Sequence, residues 1–173
     1  MSPEMKYGLL AGTGMSLWLL AEYFLGLHTR HLEIGAYADW GTEIISLVVL
    51  WFFLRHKIAV LNRYWFPVWQ GILHGALASL VAGLVFCTFM NCYLHFINPD
   101  WPFYYRTWRV TVMRAAGESE ASIRSFVDSF NWSVTPGGLA FYTIGLYTVL
   151  GATASSAITL WLNWRRKEPV DPR

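Results

Sequence analysis

Two runs without a single Asp, Glu, Lys or Arg constrain this chain more than any motif in it: Tyr64–Pro99 and Ser129–Trp164, each 36 residues long. About 20 apolar residues cross the hydrocarbon core of a bilayer as a helix, so each run crosses once with length left for the interface. Two shorter apolar stretches precede them. Tyr7–Leu27 contains Glu22, and Gly35–Leu54 carries Asp39 near its start and Glu43 inside. Lipid offers no partner to an open backbone, and the runs lack the apolar/polar alternation of barrel strands. The pattern therefore predicts an all-α polytopic membrane protein, one membrane domain over residues 1–173, with four transmembrane helices over 7–27, 35–54, 66–97 and 137–162.

Composition agrees. Charged residues make up 14 %, where soluble domains carry roughly 25 %. A formal charge of +2 leaves no basic footprint for nucleic acid. Lys6 ahead of an apolar run looks like the start of a signal peptide, but the run is long for one and Glu22 interrupts it, so a retained span is expected. Arg55, Lys57 and Arg63 fall in a short second loop, and Arg165, Arg166 and Lys167 follow the last span. The positive-inside rule then puts both termini in the cytoplasm of a bacterial inner membrane. The connection 98–136 lies outside despite Arg106, Arg109, Arg114 and Arg124, because it is long and shares Glu118, Glu120 and Asp128.

That connection opens with Asn98-Pro99-Asp100-Trp101-Pro102, which ends the third helix. Trp101, Phe103, Tyr104, Tyr105 and Trp108 then crowd among Arg106 and Arg109, a composition suited to headgroup depth. They are expected to be an interfacial anchor or a lipid or partner contact. Ser119 can cap a helix starting at Glu120, and Ile123, Phe126, Val127 and Phe130 give that helix one apolar stripe. One interfacial amphipathic helix is thus expected between the third and fourth spans, and Thr135-Pro136-Gly137-Gly138 starts the fourth.

Small residues recur every fourth position in span three: Gly71, Gly75, Ser79 and Gly83. Gly8 and Gly12 repeat the spacing in span one, and Gly151 and Ser155 in span four. Such faces let backbones approach closely, either within the bundle or against another subunit. Cys87 and Cys92 are expected to be free thiols. Asn131-Trp132-Ser133 matches a glycosylation sequon by chance.

Ionisable groups inside a bilayer are the only chemical candidates. Glu22 and Glu43 lie roughly 8 and 12 Å below the outer boundary at 1.5 Å per residue, and His74 lies nearer the cytoplasmic end of span three. They either line a proton or cation path, or are structural groups near the interface with partners such as Arg30. His28 and His31 flank Thr29-Arg30. A metal there would need further ligands such as Glu33 or Asp39, and neither metal nor cofactor is expected. No nucleophile elbow, P-loop, dinucleotide fingerprint or HExxH occurs, so no enzyme is expected.

The Lys6-Tyr7-Gly8-Leu9 opening, the short basic second loop, Phe96-Ile97-Asn98-Pro99-Asp100, Gly117-Glu118-Ser119-Glu120 and the Gly151 to Ser156 stretch carry a resemblance. The chain resembles an uncharacterised bacterial membrane family, the domain of unknown function numbered forty-one ninety-nine. Asn62-Arg63-Tyr64-Trp65 stands where that family usually has a Gly-rich stretch. The resemblance implies a four-helix membrane architecture and no particular activity. The functional expectation is an accessory or structural membrane subunit contacting lipid and partner subunits, or a second copy of itself. The alternative is a small transporter or ion-conducting protein using Glu22, Glu43 and His74.

Overall fold

A computed structural model describes residues 1–61 and 65–166. Among them the protein is all-α, without a strand: α1 (Pro3–Phe24), α2 (Leu32–Ala38), α3 (Trp40–Val60), α4 (Val68–Cys92), α5 (Trp101–Ala115), α6 (Glu120–Ser133), α7 (Pro136–Ala140) and α8 (Tyr147–Arg166). A π-helical turn, Tyr93–Ile97, prolongs α4, and a second, Phe141–Leu146, joins α7 to α8. Two of the resulting helices, Val68–Ile97 and Pro136–Arg165, are long and apolar enough to cross a membrane.

Local chemistry explains where the elements differ from the sequence reading. The first helix begins at Pro3, capped by the Ser2 hydroxyl, and stops at Phe24 rather than Leu27. Gly26 takes φ +73°, its N–H bonds the Tyr23 carbonyl, and the Leu27 N–H reaches back to the Glu22 carbonyl at 2.9 Å. This is a Schellman stop, which glycine adopts without a Cβ penalty. The second stretch is divided at Asp39 into α2 and α3, and α3 runs on to Val60. Arg55 and Lys57 therefore lie in its last turns and not in a loop. Their stems run along Trp51 and Phe53, with the charges 5.2 and 5.8 Å from the ring centroids, as long basic chains do at apolar surfaces. Arg63 and Lys167, and the Arg166 side chain, lie outside the described residues. The outer connection holds two helices where one was expected. Pro102 sits in the first turn of α5, where a missing N–H costs nothing, so it starts a helix as well as ending one. Gly117, φ +76°, closes α5 with a second Schellman stop. Ser119 caps α6 and Thr135 caps α7.

The four long helices form a ring in the order α1, α3, α8, α4, with α4 held between α1 and α8. The small residues are consumed inside this ring. A Cβ placed on Gly8 or Gly12 would run into Ala78, Val81, Ala82 or Val85 of α4. On the other face of α4, Gly71 meets Thr159, Gly75 meets Ser155, and Gly83 meets the backbone of Thr143, while Gly151 receives Ser79. Between the helices lie Leu50, Phe53, Leu54 and Ala78 in one apolar cluster and Met15, Leu19, Phe86 and Tyr147 in another. Asn163, buried on α8, accepts from the Phe66 N–H at 3.2 Å and donates to its carbonyl at 2.8 Å. That pair fastens the entry to α4 against the end of α8.

Gly75→Leu or Gly83→Leu should lower the melting temperature in detergent, since overpacking costs about 1–3 kcal/mol. Gly145→Ala, where an added Cβ meets nothing within 4 Å, should leave it unchanged. Equal melting of all three variants would mean that the seam is not close-packed.

Candidate functional site

Polar side chains gather at the two ends of α1. Glu4 and Glu22 are 18 positions apart on it, about 27 Å at the helical rise, close to the roughly 30 Å of a bilayer core. The sequence reading grouped Glu22, Glu43 and His74. The fold brings Glu22 and Glu43 to one end and places His74 at the other.

At the Glu22 end the Schellman turn swings residues 25–31 back over α1, which sets His28 beside Glu22. Both are almost wholly buried, 2 % and 1 % exposed. His28 Nε2 is 3.3 Å from Glu22 Oε2, yet neither that nitrogen nor either Glu22 oxygen makes a hydrogen bond. Arg30, the expected partner of Glu22, is exposed instead. The other ring nitrogen, His28 Nδ1, lies 2.5 Å from the Tyr93 hydroxyl, which also accepts from Asn98 Nδ2 at 2.9 Å. The π-helical turn starts at Tyr93 and so aims this phenol inward. Asp39 completes the group: Glu22, His28 and Asp39 each offer a donor atom, all within 4.8 Å of one another. Three close contacts position Asp39. Trp18 Nε1 on α1 donates to the Ala38 carbonyl at 2.9 Å, and Gly35 and Gly41 have no room for a Cβ beside Leu27 and Trp18.

Glu43 stands next to this group with partners of its own. The Tyr147 hydroxyl donates to Glu43 Oε1 at 3.1 Å, and the Thr42 hydroxyl lies 2.8 Å from Glu43 Oε2. A cavity of about 220 Å³ adjoins both groups, lined by Asp39, Thr42, Glu43, Tyr93, Trp101 and Tyr147 among others.

The outer hairpin roofs this end. Trp101 packs on His28 with ring centroids 5.7 Å apart. Tyr105 stacks on Phe130 at 5.4 Å and touches Trp108. The apolar stripe of α6 thus faces α5, with Ile123 buried. Of the residues predicted for lipid or partner contact, Trp101, Tyr105 and Trp108 turn partly inward. Tyr104 is exposed, as is Phe103, with Arg106 over the Phe103 ring and bonded to Asn131 at 2.9 Å. Burial pushes the Tyr105 phenol upward, the Asp39 charge adds to this and Arg109 opposes it. His31 and Glu33, the other conceivable metal ligands, are exposed and line a separate surface pocket with Trp108.

At the opposite end Glu4 of α1 accepts from Lys57 of α3, and His74 Nδ1 of α4 lies 2.9 Å from Glu4 Oε1 and 3.0 Å from Lys57 Nζ. Burial alone would raise the Glu4 carboxyl. The hydrogen bonds from Lys57, from its own backbone and from Ser2 outweigh burial and hold it down at about 2, from an ordinary 4.5.

The sequence offers Asp39 as a conceivable ligand beside His28 but joins neither to Glu22 or Tyr93, because the spacings of six from Glu22 to His28 and eleven from His28 to Asp39 match no ligand motif. Gly26, a helix-stop residue close before His28, was the available signal. The pattern of the family described as "Protein of unknown function (DUF4199)" matches residues 6–160, and the chain belongs to that family. No curated protein and no solved structure matches it.

A carboxyl held below its unfolded value stabilises the fold fully above about 4.5, and that contribution is lost as pH falls towards about 2. The loss should be on the order of 1–2 kcal/mol, allowing for the partial exposure of the Glu4 cluster. The melting temperature in detergent should fall across this window, and Glu4→Gln should flatten the fall. An unchanged slope in the variant would show that other groups carry it.

Proposed function

We propose that this member of the DUF4199 family is a four-span, non-catalytic protein of the bacterial inner membrane, closed to ion flow. It acts as an accessory or structural subunit through contacts with lipid and partner protein. Four spans are supported by α1 and α3, which are about 33 and 31 Å long at the helical rise and lie alongside α4 and α8. Their outward faces carry exposed Leu10 and Leu17, and Leu47 and Phe52, apolar surface that a membrane-facing helix would bury in lipid. Lys6, Arg55, Lys57 and Arg165 sit towards the Glu4 end, which favours a cytoplasmic position for that end and for both termini.

One observation supports the non-conducting reading: between α1, α3 and α4, Leu50, Phe53 and Ala78 line a void of only about 10 Å³, too little for a file of water. The larger groove of about 310 Å³ between α3 and α8, from Glu43 past Leu50 to Ala154, is lined chiefly by apolar side chains. The small-residue faces are engaged within the bundle, so they are not the partner surface. The exposed side of the outer hairpin, with Phe103, Tyr104, Arg106 and Trp132, is the surface left for partners or headgroups.

The second reading, a transporter, draws on the 220 Å³ cavity beside Asp39 and Glu43. Reconstitution in liposomes separates the two. Wild-type protein should give proton and cation flux no greater than empty liposomes, and Glu22→Gln and Glu43→Gln should change nothing. Clear wild-type flux that either substitution abolishes would replace this reading with the transporter.

A further inference from the structure

We propose that Glu22, His28 and Asp39 form a binding site for one first-row divalent transition-metal ion of the Zn²⁺ class, with open coordination positions towards the adjoining cavity. Three elements supply the donors: the last turn of α1, the turn that follows it, and the junction between α2 and α3. Their ligand atoms lie within 4.8 Å of one another, a separation that one ion can bridge.

The second observation is what these atoms lack. Glu22 Oε1, Glu22 Oε2 and His28 Nε2 are buried without a hydrogen bond, and Asp39 brings a second carboxylate to the same point. Glu22 Oε2 and His28 Nε2 lie 3.3 Å apart without hydrogen-bond geometry, and a buried carboxylate so poorly satisfied is strongly disfavoured, so the converging donor atoms call for a cation between them. Two carboxylates and a neutral imidazole balance a divalent charge.

The surroundings fit a ligating histidine. Histidine ligands hold their second ring nitrogen in a hydrogen bond that fixes the ring. Here the Tyr93 hydroxyl holds Nδ1 at 2.5 Å and is itself anchored by Asn98, which leaves Nε2 facing Glu22. The donor set excludes other classes. One imidazole with two carboxylates suits Zn²⁺, Mn²⁺, Fe²⁺ or Co²⁺, whereas Ca²⁺ needs six to eight oxygens and Cu(I) prefers sulfur. Three protein ligands beside a cavity are the arrangement of an open site, with water completing the shell. The site does not depend on whether the bundle conducts ions. The competing occupant is a proton shared by Glu22 and His28.

The full-length protein in detergent, stripped with a chelator, is equilibrated with Zn²⁺ and separately with Co²⁺. One ion per chain should bind, Co²⁺ should show the visible absorption of a four- or five-coordinate site, and Zn²⁺ should raise the melting temperature. His28→Ala and Glu22→Gln should abolish binding, while His31→Ala, at an exposed position nearby, should retain it. Tyr93→Phe removes one hydroxyl that positions His28 and should weaken binding about 10–100-fold, a readout that survives if the ligand variants fail to fold. A stripped wild type that takes up no stoichiometric ion would overturn the proposal, as would binding that Tyr93→Phe leaves unchanged. Binding that survives His28→Ala and Glu22→Gln, or that His31→Ala removes, would do the same.

Discussion

The close approach of α4 to α1 on one side and α8 on the other governs the rest of the molecule. In the proposed four-span arrangement the helices lie in lipid, where no hydrophobic force draws them together, so association would rest on van der Waals contact and a few hydrogen bonds. Gly75 lying against Ser155, and Gly151 against Ser79, let α4 and α8 meet at backbone distance. Gly8 and Gly12 do the same for α1 against Ala78 and Ala82. Larger residues there would separate the helices, and the apolar filling by Leu50, Phe53 and Leu54 would lose its fit.

Because α1 is fixed against α4 along its length, its two ends are fixed too, and the polar residues sit at those ends. Glu4 meets Lys57 and His74 at one, and Glu22 meets His28 at the other. The geometry of the Glu22 end depends on departures from regular helix. A Schellman stop at Gly26 returns the chain over α1. Two π-helical turns, a feature frequent at functional sites, begin at Tyr93 and end just before Tyr147, and these are the two phenols that reach into the site. The roof made by Trp101 and the α5–α6 hairpin then covers His28. A carboxylate–imidazole pair so deeply buried is costly, and the proposed ion answers that cost.

The parts of the fold set by periodicity and composition were legible. The two charge-free runs became the two long apolar helices, the cap at Ser119 fell where its hydroxyl predicted, and a helix starts at Thr135-Pro136 as expected. The every-fourth-residue pattern named the residues of the seam without saying what they touch. What escaped was set by single residues read in the wrong sense. Gly26 lies within an apolar run although it stops the helix, and Pro102 looks like a breaker although it opens α5. Arg55 and Lys57 read as residues of a short basic loop, although they lie in the last turns of α3 with their stems along Trp51 and Phe53. The site escaped for a different reason. His28 and Asp39 reach Glu22 only after the chain has reversed at Gly26 and been docked by Trp18, and no local spacing encodes that.

α1 and α3 carry charge and yet share one ring with the two apolar helices. If both cross the bilayer, Arg30 and Leu61 lie on opposite sides of it; if only α4 and α8 cross, they lie on the same side. Single cysteines at these two positions, in a background with Cys87 and Cys92 replaced, can be exposed to a membrane-impermeant maleimide on intact cells. Labelling of Arg30→Cys from outside, with Leu61→Cys labelled only after permeabilisation, is the result that four spans predict. Equal behaviour of the two positions would contradict it and leave α1 and α3 outside the membrane.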